Sequence, residues 1–358
     1  MKPLRYAMLG FGGIAENRLA REGFGLDTAV SSPLPEAVLV GATDLNPDRR
    51  AAAEALGLRW FPDGESLLAD PGIDAVVIAT NNGSHAALAR AALERGLHVF
   101  VEKPMATRSE DAAALRDLAR ERGLSLGVDH MMTENRANRT ARDLLARGEL
   151  GRVNDMVLHM EFLHGATDAE AAGWRCSDRS ELGGPVGDVA SHCLYMAEFL
   201  LAEPIASLAC VYLPGPLRIA VENAALVRFR TAGGIVGTIR VSFCDARGNA
   251  AATFSNLGYE IYGGTGVLRG YATLFQLSGL PGEPVPVRLE LERDGQRADV
   301  PTGQPDNIYR LAIRRHARSI LEKQPMDGAD GLRNLRMIED CHASARQNGA
   351  WIHTRKPE

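Results

Sequence analysis

The sequence predicts an α/β fold in two domains: a parallel sheet with helices on both faces, then an α+β domain built on a large, open, mainly antiparallel sheet. Three observations carry this. At 358 residues the chain exceeds what one hydrophobic core ordinarily organises. From Arg5 to about Val128, short apolar runs alternate with amphipathic helical stretches, which is the rhythm of βαβ units. After about Thr133 the rhythm changes to one helix followed by longer alternating runs with glycine-containing turns, which suits hairpins. The boundaries are placed at 1–128 and 129–358, with the C-terminal helices expected to pack back on the first domain.

The first-domain runs are RYAMLG, AVLVGATD, DAVVIAT, HVFVEKP and LSLGVDH. Their cores are short, rich in Val, Ile and Leu, and bounded by turn residues, as strands buried on both faces require. Between the last two, SEDAAALRDLARERG reads as a helix with Ser109 as N-cap, Leu115 and Leu118 on one face, and Gly123 ending it in a left-handed conformation. In the second domain NRANRTARDLLARG reads as a helix. NDMVLHMEFLHG, SLACVYLP, AALVRFRTAGGIVGTIRVSFC and SNLGYEIYGGTGVLRGY read as strands, with a hairpin turn between Phe229 and Ile235. Helices from about 307 to 321 and from about 331 to 348 close the chain.

Composition narrows the function classes. A net charge of −5 argues against a general attraction to nucleic acid or anionic lipid, so neither is expected as a partner. Five widely spaced cysteines without a CxxC pair suit reduced thiols. With no signal-peptide pattern and no apolar run of about 18 residues, a cytoplasmic location and no membrane span are expected.

Five motifs carry chemistry. Gly10-Phe11-Gly12-Gly13-Ile14-Ala15 follows the first strand and opens the first helix, the context a GxGxxA fingerprint of a dinucleotide-binding Rossmann domain needs. Gly10 permits the tight turn, Gly12 lets a pyrophosphate approach the backbone, and Ala15 allows close helix packing. Asp44 ends the second strand, where a carboxylate accepts from ribose hydroxyls and repels a 2′-phosphate; this favours NAD. Asp44 stands 31 residues after Gly13, and Arg49 and Arg50 just beyond it keep NADP as the alternative. In a second reading Asp44 caps the D-x-N-P turn. Thr80, Asn81, Asn82 and His85 follow the DAVVIAT strand at the edge where an open α/β sheet meets ligands. Glu102-Lys103-Pro104 follows HVFV at another strand's carboxyl end, with a cis or rigid Lys103–Pro104 turn aiming the lysine. Finally, the glycine-rich turn from Gly183 leads into a helix carrying Asp188 and His192, four residues apart and so on one helical face, where a carboxylate orients an imidazole suited to proton transfer.

In this order the motifs resemble the Gfo/Idh/MocA oxidoreductases. The resemblance spans nearly the whole chain and includes TNNGSH, VEKPMA, GWR (Gly173 to Arg175), the Asp188/His192 pair, YGGTGVL and DNIYR. TNNGSH, LGVDH, GWR and DNIYR are most similar to the 1,5-anhydrofructose reductase branch, which prefers NADP and lacks an aspartate where this chain has Asp44. The resemblance implies that Lys103, Asp188 and His192 are catalytic, with Lys103 stabilising alkoxide charge and His192 exchanging the hydroxyl proton. It implies coenzyme contacts from Gly10, Phe11, Gly12, Gly13, Ile14, Asp44, Arg49, Thr80, Asn81, Asn82, His85, Glu102 and Lys103. His130, Trp174 and Arg175 join Lys103, Asp188 and His192 as substrate residues. The implied substrate is a small sugar, anhydrosugar or polyol, and the implied assembly a homodimer or homotetramer. The chain departs from the pattern at Pro185, where a third glycine is usual, at Tyr195, where an aspartate is usual, and at Asp129, where an asparagine is usual. Competing readings are an NAD-dependent glycoside hydrolase on the same fold and a non-catalytic dinucleotide-binding regulator. A metal site from His159, Glu161 and His164 is disfavoured, because on a strand His159 and Glu161 share a face while His164 points away unless the chain bends, and no metal is expected.

Overall fold

A computed structural model describes residues 2–244, 257–274, 287–304 and 306–355. The described residues divide into two compact units, the first joining 2–131 to 306–332, the second built from 132–244, 257–274, 287–304 and 333–355.

The first unit is organised by six strands: β1 (Leu4–Leu9), β2 (Ala37–Thr43), β3 (Arg59–Trp60), β4 (Ala75–Ile78), β5 (His98–Val101) and β6 (Leu126–Val128). They lie in the order β3-β2-β1-β4-β5-β6, and every pair is parallel. The strand centres are apolar on both sides: Ala7, Met8, Val76, Val77 and Val99 are fully buried, as a sheet covered on both faces demands. Chain order reverses between β1 and β4, which is where an open α/β sheet forms its ligand crevice.

Helices Ile14–Gly23, Asn82–Glu94, Ser109–Arg122 and Ile308–Leu321 belong to this unit. Ile14–Gly23 is wound more widely than an α-helix, and its last turn closes from Phe24 N–H to the Leu19 carbonyl at 2.7 Å. Ile308–Leu321 packs on it at Gly23, where a Cβ would meet the Ile313 side chain at 2.7 Å. Asn307 caps that helix by accepting from Arg310 N–H at 2.8 Å, while its amide donates to Glu22 at 2.8 Å. Arg310 in turn donates to the carbonyls of Ser32 and Pro33, pinning the loop between Ile14–Gly23 and β2. Ser109 is the first helical residue rather than the cap, a position held by extended Arg108; Gly123 ends the helix at φ +63° as expected.

Among the described residues nine strands form the second unit's sheet: β7 (Val153–Glu161), β8 (Ile205–Leu213), β9 (Ala224–Thr231), β10 (Val236–Ser242), β11 (Leu257–Gly263), β12 (Gly266–Tyr271), β13 (Arg288–Arg293), β14 (Gln296–Val300) and β15 (Ile352–His353). Their order is β14-β13-β12-β11-β7-β10-β9-β8-β15. All pairs are antiparallel except β7 with β10, which run parallel at the centre. The β9–β10 hairpin turns at Ala232-Gly233-Gly234 as the sequence indicates, with Gly234 at φ +90°. The run beginning SNLG starts outside the described residues and from Leu257 supplies β11 and β12. Helix Arg136–Ala146 is capped by Asn135, which accepts from Ala137 N–H at 2.9 Å. A turn of wide helix over Pro185–Ala190 continues directly into Ser191–Leu201. The last helix runs Ala329–Arg346, beginning two residues before the sequence boundary. No helix among the described residues is long and apolar enough to cross a membrane.

Candidate active site

In the first unit the candidate coenzyme residues lie at the carboxyl ends of β1, β2, β4 and β5. Gly10 has φ +86°, and a Cβ there would stand 2.7 Å from the Ala79 carbonyl oxygen and 2.8 Å from the Thr80 side chain. The fold itself therefore requires this glycine, and the same contact shows that the glycine loop and the Thr80 turn touch at the β1/β4 switch point. Gly12 and Gly13 differ: a Cβ on either meets nothing within 4 Å. Among the described residues no neighbour demands glycine at these two positions, so their bareness leaves backbone open to the approach of a ligand. Ile14 then starts a helix whose first N–H groups suit phosphate. This is the cradle a dinucleotide needs.

Asp44 and Arg49 both reach back to Phe11. Asp44 Oδ2 accepts from Phe11 N–H at 2.6 Å, and its Oδ1 accepts from Asn46 N–H at 2.8 Å. The side chain that caps the following short helix is Asn46, which accepts from Asp48 N–H at 3.0 Å. Arg49 Nε donates to the Phe11 carbonyl at 2.6 Å, and its terminal nitrogen donates to Glu16. Arg50 pairs with Glu54 one helical turn on, at 2.9 Å. Between Asp44 and Asn46, Leu45 is wholly exposed, an apolar surface beside the carboxylate.

His85 is fully buried. Its Nδ1 lies 2.8 Å from the Pro104 carbonyl oxygen and its Nε2 3.2 Å from that of Thr80. It thus joins the turn after β4 to the turn after β5 that carries Glu102 and Lys103, and its place in the site is beneath those turns. Asn81 precedes helix Asn82–Glu94 in extended conformation, and Ser84 donates to Thr80 at 2.7 Å, which fixes the first turn of that helix. The Lys103–Pro104 bond is cis. Lys103 is half-buried at the carboxyl end of β5. His130, just past β6, is buried with Nδ1 3.1 Å from Asp330 Oδ2. Burial pushes the Asp330 carboxyl up, but its hydrogen bond with His130 and the charges of His130 and Arg315 outweigh this and hold it below its ordinary range.

In the second unit the glycine-rich turn is a packing device. Gly184 has φ +87°, and a Cβ would stand 2.5 Å from Glu222 Oε1, the atom that accepts from Val186 N–H at 3.0 Å as the helix begins. Burial pushes the Glu222 carboxyl up. Asp188 sits in the wide turn with Oδ1 3.5 Å from Arg175 Nε, and the Arg175 guanidinium lies 4.3 Å over the Trp174 ring. Trp174, Arg175 and Asp188 therefore form one array. His192 is buried, and its Nδ1 is 2.9 Å from the Tyr195 hydroxyl. Tyr195, a departure from the family pattern, stands three residues after His192, a helical spacing that puts the two side chains within reach of each other. Glu222 and Asp330 left no local signal, because each is far in sequence from the residue it meets.

At the residues considered for metal, Glu161 lies 2.6 Å from Arg240, and His164 is 3.8 Å from Glu170. Among the described residues no group of three His, Cys, Asp or Glu is placed to hold a metal ion.

The doubly wound parallel sheet, with a bare glycine loop at its switch point and an acid at the end of β2, is the arrangement of a dinucleotide-binding domain. Comparison with known proteins supplies the family. Residues 4–130 match the family model described as "Oxidoreductase family, NAD-binding Rossmann fold", and residues 138–269 match the "GFO/IDH/MocA C-terminal domain". The chain belongs to the Gfo/Idh/MocA family, and it is an NAD-binding oxidoreductase. It is 29% identical over 251 residues to a 1,5-anhydro-D-fructose reductase of Ensifer adhaerens, covering 70% of each chain. It is 26% identical over 251 residues to a levoglucosan dehydrogenase of Pseudarthrobacter phenanthrenivorans, covering 62% of each. A solved levoglucosan dehydrogenase in complex with NADH and levoglucosan shares the fold with TM-score 0.81 at 21% identity, over 99% of this chain and 100% of that one.

Proposed function

We propose that the chain transfers hydride between a nicotinamide coenzyme and a carbinol or carbonyl carbon of a sugar, anhydrosugar or cyclitol. The observation that carries the chemistry is His192, a buried imidazole fixed through Nδ1 by the Tyr195 hydroxyl. The substrate class is supported by the relatives, whose names are those of an anhydrosugar reductase, a levoglucosan dehydrogenase and inositol dehydrogenases.

Coenzyme binding is assigned to the loop Gly10–Ile14, to Asp44 at the adenosine ribose, to exposed Leu45 as an apolar support for adenine, and to Thr80, Asn81, Asn82, Glu102 and Lys103 nearer the reacting end. When bound, the nicotinamide ring accepts or supplies the hydride. His192 takes the hydroxyl proton of the substrate during oxidation and returns it during reduction, using Nε2 while Nδ1 stays with Tyr195. The Lys103 ammonium stabilises negative charge growing on the same oxygen. Asp188, steered by Arg175, accepts a hydrogen bond from a neighbouring hydroxyl, and Trp174 offers the apolar face that a sugar ring's C–H groups pack on. His130 completes the substrate wall from the end of β6. A homodimer or homotetramer belongs to the same proposal, and light scattering that gives a monomer at micromolar concentration would refute that part.

The test is a 340 nm screen of sugars, anhydrosugars and inositols, followed by Lys103→Ala and His192→Ala measured for turnover and for NADH binding. Each variant is expected to lose turnover by roughly a hundredfold or more, with NADH affinity retained in His192→Ala and weakened far less than turnover in Lys103→Ala. Near-native turnover in either would remove that residue from the mechanism, and NADH binding without any substrate-dependent redox change in the wild type would refute the proposed reaction.

A further inference from the structure

We propose that Glu16 sets the coenzyme preference of this chain by holding Arg49 against the glycine loop, out of reach of a 2′-phosphate, so that NADH is favoured over NADPH. The inference rests on nicotinamide coenzyme binding at the Gly10–Ile14 loop.

Cations that follow the second strand are the ones a 2′-phosphate meets in this fold. Two are present here, Arg49 and Arg50, and both are turned elsewhere. Arg50 lies on its own helix against Glu54. Arg49 is engaged on two sides: Nε donates to the Phe11 carbonyl at 2.6 Å, and a terminal nitrogen donates to Glu16 Oε2. Its guanidinium also sits 5.9 Å from the centroid of the Phe11 ring. Glu16 is itself anchored, since Arg21 donates to its Oε1 at 2.9 Å. The hydrogen bond from Arg21, working against burial and joined by Arg49, draws the Glu16 carboxyl below its ordinary range, so it stays charged across the working pH. The side chains of Glu16 and Arg49 are 15% and 29% exposed, which limits screening of the pair by solvent.

The arrangement has a second consequence. Asp44 holds the Phe11 N–H and Arg49 holds the Phe11 carbonyl, so the two consecutive peptides that flank Phe11 in the glycine loop are each held by one of the two residues best placed to discriminate the coenzymes. Swinging Arg49 out to a 2′-phosphate would break its bonds to both Phe11 and Glu16. Neutralising Glu16 takes the charge out of one of those bonds and so weakens the hold on Arg49, while the Phe11 contact and Asp44 stay in place, which makes Glu16 the selective point of intervention.

The experiment is fluorescence titration of the purified wild type, Glu16→Gln, Arg49→Ala and the double variant with NADH and with NADPH, read as the ratio of the two Kd values. Glu16→Gln is expected to shift the ratio toward NADPH by roughly two- to fivefold, the scale of one partly exposed ion pair. Adding Arg49→Ala in that background should abolish the gain, because the gain depends on a released Arg49. Arg49→Ala alone should weaken both coenzymes alike through the loop and leave the ratio unchanged. A selective loss of NADPH affinity in Arg49→Ala alone would show that Arg49 already serves the 2′-phosphate, and would overturn the proposal. An unchanged ratio in Glu16→Gln would overturn it too. A wild type that binds neither coenzyme would instead overturn the coenzyme assignment on which it rests.

Discussion

The Tyr195 hydroxyl lies 2.9 Å from Nδ1 of His192, with the two rings edge to face at a centroid separation of 5.6 Å, and both side chains are buried. They stand three residues apart on the helix Ser191–Leu201, so one element fixes the geometry of both. A phenol is neutral across the working pH and orients the imidazole without lending it charge. A carboxylate in its place would favour the protonated ring.

That difference gives a prediction with two arms. Tyr195→Phe should lower kcat by roughly tenfold, the worth of one orienting hydrogen bond, with NADH affinity unchanged. Tyr195→Asp should keep a partner at Nδ1 but move the pH limb for oxidation upward, because a neutral base then requires a higher pH. Steady-state profiles from pH 5 to 10 decide it. A Phe variant indistinguishable from wild type, together with an unmoved limb in the Asp variant, would leave Tyr195 a packing residue.

The fingerprint glycines should respond in opposite ways. Gly10→Ala forces a Cβ into the Ala79 carbonyl at 2.7 Å from a backbone at φ +86°, and should cost about 1–3 kcal/mol of stability. In Gly12→Ala the new Cβ meets nothing within 4 Å beyond its chain neighbours among the described residues, and the change should leave stability within about 0.5 kcal/mol while weakening NADH by at least about tenfold, since the new methyl occupies the pyrophosphate's approach. Urea melts and NADH titrations separate the two effects. A Gly12→Ala protein that binds NADH normally would show that the pyrophosphate does not cross this loop.

How much of this was legible beforehand depended on the range of the interaction. The strands β1, β2, β4, β5 and β6 announced themselves because burial on both faces leaves only apolar residues, and the β9–β10 hairpin because its Gly-Gly turn interrupts an alternating run. The β13–β14 hairpin carries only a turn signal: Asp294-Gly295, at φ +54° and +73°, is the Asp-Gly pair of a two-residue turn, set in a charged stretch that lacks apolar alternation. The two-residue strands β3 and β15 exist only because a neighbouring strand pairs with them, so their own sequences carry no pattern. The parallel β7–β10 pair at the centre of the second sheet is equally non-local. At the site, motif residues with a one-element role were visible, whereas Arg49's attachment to Glu16 and Phe11, His85's two carbonyls and Glu222's hold on Val186 each join segments that only folding brings together.

His316 supplies a prediction about acid stability. It lies on Ile308–Leu321, fully buried, with Nδ1 2.8 Å from the Tyr6 hydroxyl of β1 and Phe100 of β5 at a centroid distance of 5.4 Å. Burial, helped by the nearby His98 and Arg315, drives its pKa down to about 3. An unfolded histidine titrates near 6.5. Between those values the unfolded chain binds a proton that the native chain refuses, so stability is complete above about pH 6.5 and is lost as the pH falls toward 3. The slope from this one site approaches about 1.4 kcal/mol per pH unit. His342, drawn down to about 4 chiefly by burial, adds to the slope over the upper part of the same window. Urea melts at pH 7, 6, 5 and 4 should therefore show a falling midpoint, and His316→Gln, though less stable at pH 7, should show a shallower fall by up to one proton's worth. Equal slopes in the two proteins would mean that His316 takes up its proton in the native state and that its burial does not govern acid stability.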